Sequence, residues 1–189
     1  MIRIYQLREL SRPEMEKFFD WFIWTMPERL DAFFEFYRET NGTGDLDFQP
    51  ESLAPLAHWL AVNVEYRRYS SSEMEQIRSS TPSWFHSSLD KPILADEWEE
   101  HCFAVGAYFG SIFSRSNGGL LWSLSESEGI DDGQPVIVSP TTGRILPPLQ
   151  IMRVTMLGIL RYPDPAARMI SVYDLWVKSL DLPGREQRD

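Results

Sequence analysis

Three polar side chains on one predicted helix, Glu97, Glu100 and His101, come nearest to an active site in this sequence. Glu97 and His101 stand four residues apart, so a helix places them on one face, where they could share a proton or bind a divalent metal. Metal-binding helices usually carry a second histidine at that spacing or a Glu-x-x-His repeat on another helix. His58 and His86 lie in segments without such a repeat, and the pattern favours a structural or surface role.

Simpler roles account for the other reactive residue types. Cys102 follows His101 directly, but adjacent helix residues project about 100° apart, which favours a buried cysteine over a nucleophile. The segment Ser83–Ser88 lacks the Gly-x-Ser-x-Gly turn that activates a serine. Asp131-Asp132-Gly133 is typical of a turn, and Asn117-Gly118-Gly119 follows a helix, so neither a calcium loop nor a phosphate cradle is expected. We predict no catalytic residue, no metal and no cofactor.

Apolar residues at helical spacing predict the elements that position these side chains. Ser11 and Glu14 have the spacing of a capping box before an apolar stripe, and Pro27 repeats the start signal. We therefore expect two helices, over 11–24 and 26–40, joined by a tight corner and ended by Asn41-Gly42. Further helices are predicted over residues 50–64, 93–116, 149–160 and 165–180.

The helix predicted over 93–116, with Asp90 as its N-cap, contains Gly106 and Gly110. Glycine costs about 1 kcal/mol inside a helix, so this spacing predicts close packing of a neighbouring element. Short strands are predicted over residues 2–7, 120–124, 135–138 and 144–146. The predicted fold is α+β: a mainly helical single domain over residues 1–189, with a small antiparallel sheet of two to four strands and a frayed tail over 184–189.

Residues 66–92 are rich in serine and show weak periodicity, with only a short helical turn expected near 73–77. A connection this long is often functional or mobile, so we expect a lid or a binding loop. Aromatic side chains in a polar segment can anchor an interface. The candidate binding residues are Tyr66, Tyr69, Trp84 and Phe85.

Composition narrows the classes of partner. A net charge of −10 disfavours nucleic acid and anionic membrane surfaces, whereas it suits either solubility or association with a basic protein. A single cysteine leaves no internal disulfide, and no apolar run reaches the roughly 20 residues that span a bilayer. We therefore expect a cytoplasmic protein without a membrane partner.

Several motifs follow one another in a recognisable order between about residues 45 and 180. They are a Pro-Glu-Ser-Leu helix with a later Trp (Pro50–Leu53, Trp59), a Tyr-Phe-Gly helix (Tyr108–Gly110), a Gly-Trp strand (Gly119–Trp122) and a Gln-Pro-Val strand (Gln134–Val136). This order resembles a loosely defined group of uncharacterised bacterial proteins. Ser111 stands where that pattern has a glutamate after Tyr-Phe-Gly, so any function of that glutamate does not carry over.

A second resemblance bears on function. Pro27–Leu30 followed by Asn41-Gly42 is similar to the SUKH-type immunity proteins, which bind and neutralise bacterial toxins. The leading hypothesis is a non-catalytic cytoplasmic protein that binds another protein, with an immunity-type inhibitor as the form that this resemblance implies. The alternatives are a small metal-dependent or acid/base enzyme using Glu97, Glu100 and His101, and a structural module that forms homo-oligomers.

Overall fold

The computed structural model describes residues 3–116, 119–126 and 132–182 and shows a mainly helical α+β fold. The helices in these ranges are α1 (Arg12–Glu39), α2 (Leu53–Asn63), α3 (Ser71–Ser80), α4 (Asp96–Ser116), α5 (Pro148–Gly158) and α6 (Pro165–Ser179). The strands are β1 (Tyr66–Arg67), β2 (Ile93–Leu94), β3 (Leu121–Leu124), β4 (Pro135–Val138) and β5 (Ile145–Leu146). Short 3₁₀ helices span Ile4–Glu9, Pro50–Ser52, Ser83–Asp90 and Ile159–Arg161. Of the sequence features above, Asn117-Gly118, Asp131 and the tail 184–189 lie outside the described residues.

Helix α1 is one helix of 28 residues, so the predicted corner between 24 and 26 is wrong. Pro27 lies inside it and costs about 3 kcal/mol there. Burial of Met26 and Leu30 on either side, each worth about 1.5–3 kcal/mol, offsets that cost. One apolar stripe therefore runs through the proline; its buried members are Met15, Phe18, Phe22, Met26, Leu30, Phe33 and Tyr37.

The two ends of α1 follow the predicted signals. Ser11 donates its backbone N–H to Glu14 Oε2 (2.8 Å), which forms the capping box. Asn41 adopts a left-handed conformation with φ of 63°, and the Gly42 N–H donates to the Tyr37 carbonyl (2.7 Å). This is a Schellman end, which satisfies carbonyls that the last helical turn leaves free.

Helix α4 lies at the centre of the core, and it begins at Asp96 instead of the predicted residue 93. Ile93 and Leu94 form β2, which pairs antiparallel with β1 through Arg67↔Ile93 and Tyr66↔Leu94. These residues satisfy their backbone groups across the strands, so Asp90 does not cap this helix. The predicted close packing at the glycines is confirmed, because a Cβ on Gly106 would lie 2.8 Å from the Leu149 Cα of α5.

A three-stranded antiparallel sheet in the order β3-β4-β5 packs against α1, α4 and α5. Its strands match the predicted segments 120–124, 135–138 and 144–146, with Trp122 opposite Ile137 and Ile137 opposite Leu146. The strand predicted over 2–7 is wrong for the described residues, where Ile4–Glu9 is a 3₁₀ helix. Ile4 and Leu7 stand three residues apart, so one 3₁₀ turn buries both side chains.

The segment 66–92 contains more regular structure than the predicted Ser-rich loop. It begins with β1, continues through α3 and ends in the 3₁₀ helix Ser83–Asp90. Ser70 caps α3 by accepting from the Glu73 N–H (3.2 Å), while Glu73 accepts from the Ser70 N–H (2.8 Å). The turn expected near 73–77 is therefore part of a helix that local periodicity alone did not reveal.

The remaining helices match their predicted segments closely. The 3₁₀ helix Pro50–Ser52 leads into α2, and α2 packs against α6. Asp164 caps α6 by accepting from the Ala167 N–H (2.9 Å). None of the helices in the described parts of the chain is both long and apolar enough to cross a membrane.

Candidate functional site

A surface cavity of 360 Å³ lies between α1 and α4. On α1 its lining residues are spaced three or four apart, which puts them on one helix face, and α4 supplies the opposite wall. The lining consists of Thr25, Glu28, Arg29, Ala32, Phe33, Glu100, His101 and Ala104. The cavity thus combines a guanidinium, two carboxylates and an imidazole with apolar walls.

Arg29 is a half-buried cation that lines this cavity. Its guanidinium carbon lies 4.8 Å from the centroid of the Trp21 ring, close enough for a cation–π contact. Its Nε is buried without a hydrogen-bond partner among the described residues. Burial lowers the pKa of Arg29, and the charge of Glu100 opposes that shift. The rest of this half-buried guanidinium lines the cavity, where it can donate hydrogen bonds to a bound anion.

His101 is held in place by aromatic rings. Its ring stacks on Phe36 with a centroid distance of 4.4 Å and an interplanar angle of 5°, and the Trp98 ring lies 5.1 Å away. Burial lowers the pKa of His101, although the nearby charges of Glu100 and Glu97 act to raise it. The imidazole is therefore neutral at pH 7 and can donate or accept a hydrogen bond.

The structure brings together two of the three residues predicted as an acid/base or metal group. Glu100 and His101 both line the cavity, whereas Glu97 is exposed and outside its lining. In the described ranges, no group of three or more His, Cys, Asp or Glu side chains is arranged to hold a metal ion. The trio therefore does not converge on one point.

Cys102 is buried, as predicted from its place near the apolar stripe. Its Sγ lies 3.7 Å from Met156 Sδ. Burial raises the pKa of the thiol well above its usual value, and the charge of Glu99 adds to that rise. A thiol that stays protonated is a poor nucleophile, so the contacts support a packing role.

Sequence reasoning missed a buried ion pair between Glu99 and Arg153. The Arg153 Nε and Nη2 donate to the two Glu99 oxygens at 2.9 and 2.7 Å. A signal was available, because Glu99 stands three residues before Cys102 and seven before Gly106, on the packing face of α4. Arg153 likewise lies between the buried Met152 and Met156 of α5. Opposite charges on the apolar faces of two helices, here Glu99 on α4 and Arg153 on α5, predict an ion pair between those helices.

The predicted binding residues of 66–92 occupy different settings. The Tyr66 hydroxyl donates to the Met156 carbonyl (2.7 Å), and burial raises its pKa. Tyr69 is half-buried. Trp84 and Phe85 belong to the 3₁₀ helix Ser83–Asp90, but their side chains lie outside the described part of the structure. Their role in binding stays a prediction.

An ion-pair cluster fastens the start of this segment to the body of the protein. Arg67 donates to both Glu73 oxygens at 2.8 Å and to Asp96 Oδ1 at 3.1 Å, and Arg3 donates to the same Asp96 oxygen at 2.9 Å. The hydrogen bonds from Arg67, and then those from Ser70, lower the pKa of Glu73 to about 2. The cluster therefore links β1, α3 and α4 to the N-terminal 3₁₀ helix.

We expect Glu73 to make stability depend on acid pH. Its folded pKa is below the usual 4.5, so its contribution is complete above pH 4.5 and disappears as the pH falls toward 2. Thermal midpoints measured from pH 7 to pH 2 should show the Glu73→Gln variant less stable at pH 7, with the difference vanishing near pH 2. A difference that stays constant across this range would contradict the assigned pKa.

A second surface lies on the outward side of α1 and is named here the acidic face. Its residues recur at helical spacing and are all exposed. They are Asp20, Trp24, Glu28, Asp31 and Glu35. Trp24 is 82% exposed, and Trp21 beside it is 44% exposed. The acidic face therefore combines a large exposed aromatic ring with four carboxylates on one helix.

Comparison with known proteins does not add to this description. The chain matched no protein-family model, no curated protein and no solved structure. Its geometry and charge therefore supply the grounds for a functional proposal.

Proposed function

We propose that this protein binds another protein through the acidic face of α1, with Trp24 as the central anchor. The observation that carries the proposal is the 82% exposure of Trp24 on an ordered helix. Tryptophan is enriched among residues that dominate binding energy, because its large ring is removed from water with little loss of side-chain entropy. A preformed helix also spares the cost of ordering the backbone when the complex forms.

The charge of the face favours a basic partner. Four carboxylates share one row on α1 with Trp24, and the exposed Lys17 and Arg38 stand at the two ends of that row. The whole chain carries a net charge of −10, which would accelerate encounter with a basic surface. Two copies of this face would repel each other, so a homo-oligomer would have to use another surface.

This function agrees with the immunity-type inhibitor that the SUKH resemblance implies, since such a protein acts by covering another protein. The reducing cytoplasm is the compartment we propose, because the chain has one cysteine and no need of a disulfide. The segment with Tyr66, Tyr69, Trp84 and Phe85 is a second candidate surface. The enzyme hypothesis has less support, because Glu97 lies apart from the cavity that Glu100 and His101 line.

The test is affinity capture from the native cells with mild crosslinking, followed by titration of the purified partner. We expect Trp24→Ala to weaken binding at least about tenfold, the loss typical of an interface anchor. Val62→Ala serves as the matched control, because Val62 is an apolar side chain of similar exposure, 84%, on α2. A weaker association at high salt would support the basic partner.

The variants also separate the two candidate surfaces. Loss of binding only in Trp84→Ala/Phe85→Ala would contradict the acidic face and move the interface to residues 66–92. Equal binding by Trp24→Ala and Val62→Ala would reject Trp24 as an anchor. Light scattering on the purified protein shows whether the captured partner is a second copy of the chain, which would contradict a basic partner.

A further inference from the structure

We propose that the cavity between α1 and α4 binds a small zwitterion of the α-amino acid class, with its carboxylate on Arg29 and its ammonium group toward Glu100 and Glu28. This inference does not rest on the acidic face or on a protein partner. The cavity and the acidic face share Glu28, but Trp24 is outside the cavity lining.

Arg29 supplies the carboxylate site. Its Nε is buried with no hydrogen-bond partner among the described residues, and those residues also offer it no ion pair. Arg29 is only half-buried and lines the cavity, so its guanidinium can offer a planar carboxylate two parallel hydrogen bonds. The Trp21 ring at 4.8 Å helps to fix the plane of the guanidinium.

Glu28 and Glu100 distinguish a zwitterion from a simple acid. Both line the cavity, and neither forms an ion pair within the described part of the chain. A ligand with only a carboxylate would be attracted by Arg29 but repelled by these two groups. An ammonium group on the carbon next to the carboxylate turns that repulsion into attraction, so an α-amino acid satisfies all three charges.

The size and walls of the cavity indicate an apolar side chain. Its 360 Å³ lies near the lower end of the roughly 300–1,000 Å³ that small-molecule sites occupy. The apolar part of the wall, between the charged groups, is formed by Ala32, Phe33 and Ala104. The imidazole of His101, stacked on Phe36, adds a fixed hydrogen-bonding group at the edge. Leucine, methionine and phenylalanine are therefore the amino acids that best fit this lining.

Calorimetric titration of the whole protein tests the proposal. The probes are L-leucine, L-methionine and L-phenylalanine, together with 3-phenylpropanoate and 2-phenylethylamine, each of which lacks one of the two charges. We expect at least one amino acid to bind. If phenylalanine binds, each analogue should bind at least about tenfold more weakly, because it loses a charge-assisted contact. Absence of binding by all three amino acids, or equal binding by the analogues, would overturn the proposal.

Variants then locate the site. Arg29→Gln should reduce affinity at least about tenfold and Glu100→Gln by a smaller factor, whereas Arg38→Gln, a change to an exposed arginine on the same helix, should leave it unaltered. The indole NMR signal of Trp21 should shift on binding more than that of Trp24, since only Trp21 contacts Arg29. Circular dichroism confirms that each variant is folded. Unchanged affinity in a folded Arg29→Gln protein would reject this site.

Discussion

Glu99→Gln is expected to lower the free energy of unfolding by about 3–5 kcal/mol, the usual result of breaking a buried ion pair from one side. The Glu99 side chain is 2% exposed and that of Arg153 is 13% exposed. The substitution keeps the volume of the side chain but removes its charge, so the Arg153 guanidinium loses the carboxylate that accepts two of its hydrogen bonds. Urea unfolding followed by circular dichroism measures the loss.

The double variant Glu99→Gln/Arg153→Met separates the cost of breaking the ion pair from one side from the net contribution of the intact pair. Removing both charges leaves no buried ion, so most of the stability should return. Glu100→Gln is the control, because this neighbouring carboxylate is exposed and should change stability by no more than about 0.5 kcal/mol. A double variant as unstable as Glu99→Gln alone would show that packing, and not charge, explains the loss.

The helices that sequence predicted well are those whose apolar spacing and end signals agree. Asp164 and Pro165 start α6, and Asn41-Gly42 ends α1, because caps depend on residues close in sequence. The corner at Pro27 was wrong for the opposite reason. A proline in a first turn and a proline inside a long helix have the same local sequence signals. Whether the helix continues through Pro27 depends on the tertiary packing of the apolar stripe of α1.

The short strand β2 could not be predicted from its own residues. Ile93 and Leu94 extend an apolar pattern that also suits the first turn of α4, and their pairing partners lie 26 or more residues earlier, in β1. Two residues are too few to show strand periodicity. Tyr66 lies in the same strand, and its hydroxyl donates a hydrogen bond to the Met156 carbonyl of α5, a distant contact that local sequence does not predict.

The candidate site likewise contains residues that local sequence predicts and residues that only tertiary packing brings in. Helical spacing placed Glu97 and His101 on one face of α4, but it gave no information about the helix opposite. Arg29 enters the cavity because α1 crosses that part of α4, which puts Glu100 and His101 opposite Arg29 and leaves Glu97 outside. Sequence spacing therefore predicted the residues that α4 contributes to the cavity, whereas the residues that α1 contributes depend on tertiary packing.

Gly106→Ala is expected to destabilise the protein by up to about 2 kcal/mol, even though alanine is the better helix former. The added Cβ would lie 2.7 Å from Leu149 Cδ2 and 2.8 Å from Leu149 Cα. The side chain can rotate, but the Cα can move only with α5, so the helix pair must separate. Overpacking of this kind costs about 1–3 kcal/mol, against a gain of about 1 kcal/mol in helix propensity. Differential scanning calorimetry should show a midpoint lower by about 2–4 °C for each kcal/mol lost.

Gly158→Ala distinguishes close packing from a general effect of replacing helical glycines. A Cβ on Gly158, the last residue of α5, would meet only Tyr162 Cε2 at 3.7 Å, which is ordinary van der Waals contact. Its φ of −109° and ψ of −5° suit alanine, so the substitution should leave the midpoint unchanged or raise it. Equal responses at the two positions would contradict the close approach of α4 and α5.

Because α5 also carries Arg153, a shift of this helix in Gly106→Ala would loosen the ion pair between Arg153 and Glu99. The losses of stability from Gly106→Ala and Glu99→Gln should therefore fail to add.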